Sequence, residues 1–214
     1  MDDIAQTIWK GLSTASRLDQ INLVLGVVGV ALMIRRSLWA FPVGLVAVTV
    51  QGFLFFQVRF YADAALQVFF FVTLAWGWWH WTHARGTAVE LPVTTMGGRD
   101  RLLWIGIAAG TTVVWALVLQ RWTDAVMPWR DAAIAALQVV GQVLQARKKL
   151  ENWAFLTAAN IVAIPAYWSA ELAYTAFLFG IYLVLGLLGW RAWARAKENE
   201  IKTSEPLAET KGRS

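Results

Sequence analysis

Several stretches of about 20 residues in this chain carry no charged side chain. No Lys, Arg, Asp or Glu occurs between Ser37 and Val58. The same holds for residues 102–119, 152–170 and 172–190. A helix needs roughly 20 apolar residues to cross the ~30 Å hydrocarbon core of a bilayer. These stretches therefore predict membrane-spanning helices, and Ala64–Trp81 is a fifth candidate.

Two shorter apolar stretches, Ile21–Ile34 and Ala132–Ala146, leave two interpretations open. Their length suits either a short span or a buried or re-entrant helix. Basic residues follow both, and the long stems of Arg35, Arg36 and Lys148 can snorkel to a membrane interface.

An internal repeat decides between these interpretations. Residues 27–38 read VVGVALMIRRSL and residues 139–150 read VVGQVLQARKKL, a spacing of 112 positions. Counting Glu151 and Asn152 as an insertion then aligns the Trp-Ala-Phe runs 39–41 and 153–155. The match continues through a third segment, where Trp78 and Trp81 correspond to Trp190 and Trp193. Both short stretches are therefore predicted to be the first helices of equivalent bundles.

A unit of three spans, repeated directly, emerges upside down, and the extra span at 102–119 restores its orientation. The predicted fold is an all-α membrane protein with seven transmembrane helices, arranged as two parallel three-helix bundles and a linker helix (3+1+3). Parallel repeats are one known transporter plan, with the substrate site at the repeat interface. The predicted segments are an interfacial segment (1–19, through Ile4, Ile8, Trp9 and Leu12), a first bundle (20–81), a loop and linker helix (82–130), a second bundle (131–195) and a disordered tail (196–214).

Charge placement predicts the topology. The chain has 19 Lys and Arg against 14 Asp and Glu, a net charge of +5. With seven spans, most Lys and Arg fall in the 35–36 turn, the 82–101 loop, the 147–149 turn and the tail, all on one face. The positive-inside rule then places the C-terminus in the cytoplasm and the N-terminus outside. Basic charge is thus a topology signal in a multi-pass membrane protein, and nucleic acid is not an expected partner.

Polar side chains at membrane depth are the candidate substrate-binding residues. In lipid such groups need a partner or a cavity. Residues at positions i, i+4 and i+7 share a helix face. This spacing places Gln138 and Gln142 on one face of one helix, and Trp153, Thr157 and Asn160 on one face of the next. Gln67, Phe71 and Tyr182 complete the predicted site. The alternative is that these amides only join helices, at about 0.6 kcal/mol each. Gln145 is expected to be solvated near the surface.

The aromatic run at 76–81 is interpreted as an interfacial belt, in particular Trp78, Trp79 and Trp81. Asp63, Asp131 and Glu171 lie near predicted helix starts, where a carboxylate complements the helix dipole. Capping is the favoured role for all three.

Several function classes lack their signatures. The sequence has no phosphate-binding glycine loop, no acidic residue in the middle of a predicted span, and no nucleophile–base pair or metal-spaced His/Asp cluster. It contains no cysteine. The expectation is a passive transporter, not an enzyme, with no cofactor.

Two motifs resemble the PnuC nicotinamide riboside transporters. Residues 60–67 (FYADAALQ) and residues 76–81 (WGWWHW) together resemble that family's YxDxxLQ…GWxxW segment. Residues 147–153 (RKKLENW), followed by Asn160, resemble its RKxxENWxxWxxxN segment. Asp131 also matches a family position. The resemblance covers roughly residues 20–195.

The resemblance implies a SWEET-like fold and facilitated diffusion of nicotinamide riboside, trapped by cytoplasmic phosphorylation. By position it assigns Trp153, Asn160 and Gln67 to the substrate site. Leu156 replaces the second Trp of the family motif and Leu74 replaces a frequent Asn. Thiamine, riboflavin and deoxynucleosides therefore stay open as alternative substrates. A membrane-embedded binding or scaffold subunit is the alternative from another class, and a homo-oligomer is compatible with all of these.

Overall fold

The computed structural model describes residues 16–57, 61–85, 91–170 and 173–204, with Gln6, Trp9 and Ser13. The described chain is almost entirely helical. Its helices are α1 (Arg17–Ile34), α2 (Ala40–Gln57), α3 (Tyr61–Arg85), α4 (Gly98–Trp122), α5 (Pro128–Ala146), α6 (Asn152–Ser169) and α7 (Ala173–Ser204). Of the predicted interfacial segment only Trp9 is described among its four apolar residues, and Glu171 also lies outside the described part.

Local sequence signals account for the helix starts. The Ser16 hydroxyl accepts a hydrogen bond from the Asp19 amide at 3.1 Å, and the Asp19 carboxylate accepts one from the Ser16 amide at 3.2 Å, which forms a capping box. Pro128 occupies the first turn of α5, where its missing N–H costs nothing. Asp63 and Asp131 lie in the first turns of α3 and α5, as predicted.

In the described part of the chain, four helices, α1, α2, α4 and α7, are long and apolar enough by composition to cross a membrane. For α3, α5 and α6 the spanning assignment stays a prediction. α5 illustrates the reason, since it carries Arg130 and Asp131 in its first turn and three glutamines further along. Their cost in lipid falls if they face the protein interior.

Helix contacts close a ring of six helices. Within each half, α2 packs between α1 and α3, and α6 packs between α5 and α7. Between the halves, α3 packs on α5 and α1 packs on α7. Helix α4 packs on α5, on the side of α5 that carries Leu137, Val140 and Leu144. The sides of the six ring helices that face one another are called the ring interior below.

The helices of the two halves occupy matching positions. α2 and α6 (40–57 and 152–169) keep the spacing of 112 at both ends, and α3 and α7 begin at Tyr61 and Ala173. The predicted insertion at Glu151 and Asn152 is therefore wrong, because the helix bounds leave no room for it.

Aromatic packing confirms this corrected register. Phe41 lies edge-on to Trp81 at 5.0 Å, and Trp153 lies edge-on to Trp193 at 5.6 Å. Phe41 thus takes the place of Trp153 in the first half, whereas Trp39 is 71% exposed. The shared residue type of Trp39 and Trp153 therefore led to the wrong alignment at this turn.

The turns after α1 and α5 share an unusual backbone. Arg36 and Lys148, again 112 positions apart, adopt φ values of 57° and 54°. The amide of the residue after each turn returns to a helix carbonyl, Ser37 to Leu32 and Lys149 to Leu144, both at 3.0 Å. This left-handed helix end normally uses Gly or Asn. Two non-glycine examples at equivalent positions indicate turns fixed by surrounding contacts.

Two buried indoles connect the halves. Trp81 Nε1 donates to the Ala146 carbonyl at 3.0 Å, and Trp193 Nε1 donates to the Met33 carbonyl at 3.1 Å. Each indole thus adds a bond to a carbonyl at the end of a helix in the other half, and the Met33 carbonyl also accepts from the Arg36 amide at 2.9 Å. The belt prediction for Trp81 is wrong, since only 3% of Trp81 is exposed, while Trp78 and Trp79 are 39% and 56% exposed.

The end of α7 is ordered where a disordered tail was expected. α7 continues to Ser204, so that prediction is wrong for 196–204, and residues 205–214 lie outside the described part. Glu200 accepts a hydrogen bond from Arg36 at 3.0 Å and from the Val93 amide at 3.1 Å. These tertiary contacts stabilise a segment whose composition alone favours disorder.

Candidate functional site

The glutamine face of α5 points into the ring. Leu137, Val140 and Leu144 of α5 belong to a cluster with residues of α4, outside the ring. Gln138 and Gln142 project from the opposite side of α5, since neighbouring helix residues are separated by about 100°. On this side of α5, both glutamines lie between the edge of α5 that packs on α6 and the edge of α5 that packs on α3.

Gln145 continues the same face and is 7% exposed. The prediction that it is solvated is wrong, because the first half of the chain covers this end of α5. Gly77 of α3 packs here: a Cβ at Gly77 would lie 3.0 Å from the Cβ of Ala146.

Asn160 lies on the inner side of α6. The edge of α6 that meets α5 is marked by Leu156, which packs on Gly141. The edge that meets α7 is marked by Thr157, which packs on Gly186. Asn160 falls between these edges and is 7% exposed, whereas Ile161 is 56% exposed on the outer side. Asn160 therefore lies on a buried side of α6, between the edges that pack on α5 and α7.

Tyr182 and Gln67 lie at helix contacts. The Tyr182 hydroxyl packs on Gly26, where α7 meets α1. A Cβ at Gly52 of α2 would lie 3.3 Å from the Cβ of Gln67 on α3. Phe71, one turn further along α3, is 43% exposed.

Trp153 and Thr157 line a groove between α6 and α7. It encloses about 410 Å³, and its other walls are Ala154, Ala158, Ile161, Leu187 and Trp190. Ile161 and Leu187 are each more than half exposed, so the groove opens on the outer surface of the ring. Trp153 itself is 1% exposed, and its Nε1 is buried without a hydrogen-bond acceptor.

The sequence reading missed a polar pair in the first half. Asn22 Nδ2 donates to Gln51 Oε1, joining α1 to α2. The side-chain oxygen of Asn22 is buried and has no partner. The signal was available, because Asn22 and Gln51 are isolated polar residues in apolar helices.

A second missed group holds the segment before α4 in place. Lys148 was expected to snorkel, but it is 1% exposed, and its ammonium donates to the Leu91 carbonyl and lies 4.6 Å from the Trp81 ring centre. Glu151 accepts hydrogen bonds from the Met96 amide at 2.9 Å and from Arg101 Nε at 3.1 Å. This network holds the segment 91–97 against the end of the ring where the two left-handed turns lie.

The candidate site is thus a set of amides and a tyrosine around a ring interior. Amides donate and accept, which suits a carboxamide or sugar hydroxyls. No group of three or more His, Cys, Asp or Glu residues that could hold a metal occurs in the described part of the chain.

Comparisons with known proteins agree with this architecture. The riboflavin/roseoflavin transporter RibM of Streptomyces davaonensis is 29% identical over 178 residues, covering 82% of this chain and 83% of that protein. The nicotinamide riboside transporter PnuC of Escherichia coli is 23% identical over 203 residues, covering 83% and 85%.

The crystal structure of the vitamin B3 transporter PnuC has the same fold, with a TM-score of 0.72 at 16% identity, over 92% of this chain and 88% of that one. The relatives are transporters, and with the apolar helices they place the chain among multi-pass proteins of the bacterial inner membrane, not among enzymes. The family described as nicotinamide mononucleotide transporter matches residues 16–195, and the chain belongs to this family.

Proposed function

We propose that this protein carries nicotinamide riboside through the ring interior by facilitated diffusion, and that phosphorylation in the cytoplasm traps the nicotinamide riboside that has entered. The observation that carries the proposal is the amide lining contributed by Gln138 and Gln142 of α5 and by Asn160 of α6. Their neutral groups can exchange hydrogen bonds with a polar substrate that has left water. The relative PnuC and the family description support the substrate class.

The proposed architecture is two parallel bundles, α1–α3 and α5–α7, with α4 as the linker. Equivalent helix bounds, equivalent left-handed turns and reciprocal indole bonds support it. The proposed topology has the N-terminus outside and the C-terminus in the cytoplasm. The end of the ring that packs against the segment 91–97 then faces the cytoplasm, and Arg36, Lys148 and Lys197 lie at this end.

Transport by the pure protein tests the proposal. Vesicles containing only this protein should let radiolabelled nicotinamide riboside equilibrate without ATP or an ion gradient. Accumulation above the external concentration on applying a gradient would contradict the passive mechanism. If neither nicotinamide riboside nor riboflavin crosses, the scaffold-subunit alternative gains and the transporter proposal fails.

Two variants connect transport to the lining. Asn160→Leu removes the amide and keeps the number and branching of the side-chain heavy atoms, so flux should fall at least tenfold while the unliganded protein melts near the wild-type temperature. Thr112→Val is the matched control, because the Thr112 hydroxyl bonds to the Ala108 carbonyl within α4, outside the ring. An equal loss in both variants would remove Asn160 from the pathway.

Trp153→Phe tests the predicted aromatic contact. Phe41 performs the equivalent packing in the first half, so the fold tolerates phenylalanine there. The variant should fold and bind substrate more weakly. Unchanged affinity would assign Trp153 to packing alone.

Riboflavin is the second candidate substrate. The observation in its favour is that RibM is 29% identical to this chain, against 23% for the Escherichia coli PnuC. Leu156 and Leu74 also replace polar or aromatic groups of the PnuC motif, and both pack on glycines here. Competition between unlabelled riboflavin and labelled nicotinamide riboside in the vesicle assay separates the two.

A further inference from the structure

The Asn22–Gln51 pair faces the ring interior. On α1 the exposed apolar residues Ile21, Val24 and Val28 lie on the other side of the helix from Asn22, while Leu18, 42% exposed, lies one turn before it near the helix start. On α2 the exposed residues are Val46, Phe53 and Phe56, again opposite Gln51. The two amides therefore meet on the inner wall of the first half, away from lipid.

The internal repeat shows that the fold does not need a polar pair there. The equivalent residues of the second half are Ile134 and Ala163, 112 positions further along. They belong to one apolar cluster and are 7% and 0% exposed. The same helix contact is therefore made by apolar side chains in the second half and by two amides in the first half.

The hydrogen bonding of the pair is incomplete. One bond between two primary amides uses one donor and one acceptor, and it leaves a carbonyl and one N–H on the donor side chain and two N–H groups on the acceptor side chain. Here the carbonyl without a partner is the buried Asn22 oxygen, one N–H remains on Asn22, and the amide NH₂ of Gln51 contributes two more donors. A buried polar atom without a partner is costly, and native structures seldom keep one without a use.

We infer that Asn22 and Gln51 form a recognition element for the amide edge of the substrate. A carboxamide or imide offers a donor next to an acceptor, which complements the free oxygen of Asn22 and the N–H groups of Gln51. The pair lies in the second turn of α1 and the penultimate turn of α2, roughly 8 Å from the helix ends. In the proposed topology these are the extracellular ends, so the element binds substrate on its way in.

This inference rests on the proposed function, and one variant tests it. The double change Asn22→Ile with Gln51→Ala gives the first half the residues of the second half, so the ring should fold. Binding is measured on the full-length purified protein with nicotinamide riboside and with riboflavin. Affinity for whichever probe the wild type binds should fall about tenfold, the effect expected from losing two modest hydrogen bonds.

Analogues show whether the amide edge is what the pair reads. Nicotinic acid riboside replaces the carboxamide by a carboxylate, and N3-methylriboflavin removes the imide donor. The wild type should prefer the parent compound, and the double variant should lose most of that preference. Thr49→Val is the matched control on α2, because the Thr49 hydroxyl bonds to the Leu45 carbonyl of its own helix.

Each remaining outcome is decisive. Unchanged affinity and unchanged preference in the double variant would overturn the inference and leave the transporter proposal standing. If the double variant does not fold, Gln51→Ala alone is measured, and failure of that variant to fold would make the pair structural. A wild-type protein that binds neither probe would overturn the proposed function, and the inference with it.

Discussion

Replacing Gly189 by alanine should reveal how tightly α7 holds Trp153. A Cβ at Gly189 would lie 2.6 Å from three atoms of the Trp153 ring system. That ring is 1% exposed and fixed edge-on to Trp193, so it is not a flexible chain end that can move aside. Gly180 on the same helix is the matched control, since nothing lies within 4 Å of its added Cβ.

The magnitude follows from comparing the two variants. Each exchange of glycine for alanine gains roughly 0.5–1 kcal/mol of helix stability, which is common to both. Overpacking a filled core costs about 1–3 kcal/mol and applies only at Gly189. The two variants should therefore differ by about 2 kcal/mol, or roughly 4–8 °C in melting temperature for a chain of this size.

Thermal unfolding of both purified variants in the same detergent measures this difference. Gly189→Ala should melt below wild type and Gly180→Ala at or above it. Adding Trp153→Phe to Gly189→Ala should recover part of the loss, because the smaller ring makes room. If Gly189→Ala melts at or above Gly180→Ala, Trp153 is not packed on α7 as described.

The remaining predictions concern the contacts between the halves and the topology. Trp193→Phe should lower the free energy of unfolding by about 0.5–1.5 kcal/mol, because the Met33 carbonyl loses the indole donor and keeps only the Arg36 amide. Trp190→Phe, 38% exposed, is the control, and an equal effect would contradict the indole bond. Glu151→Gln should speed hydrogen exchange of the Met96 amide, read by mass spectrometry, and unchanged protection would show that the charge is dispensable. The chain has no cysteine, so single cysteines can be introduced as topology labels. Ser16→Cys should react with an impermeant maleimide in intact cells, and Glu198→Cys should react only after lysis. The reverse labelling pattern would show that the protein has the opposite topology.

Much of the helix plan was predictable because it rests on local properties. Charge-free stretches located the helices, and the repeated VVG…R motif identified α1 and α5 as equivalent although both are short. The first-turn positions of Asp63 and Asp131 were also local. The spacing of 112 held throughout, and the predicted insertion failed only because Trp39 and Trp153 share a residue type without sharing an environment.

The errors share a nonlocal cause. Trp81, Gln145 and Lys148 all lie near helix ends, where hydropathy predicts an interface or solvent. In the fold, each is covered by the other half of the chain or by the segment 91–97. Glu200 likewise orders the end of α7 through Arg36, a contact that no local pattern reveals.

The two halves differ in the polarity of equivalent positions, and we propose that this difference marks where substrate binds. Positions that hold the halves together keep their role under the repeat, as Trp81 and Trp193 do. Positions on the inner wall do not: Asn160 corresponds to Val48, and Asn22 corresponds to Ile134. A symmetric scaffold lined symmetrically would hold a symmetric ligand, whereas a vitamin has one ring and one sugar or polyol arm. The polar groups are distributed unequally over equivalent helices, which gives the ring interior different chemistry on its two sides.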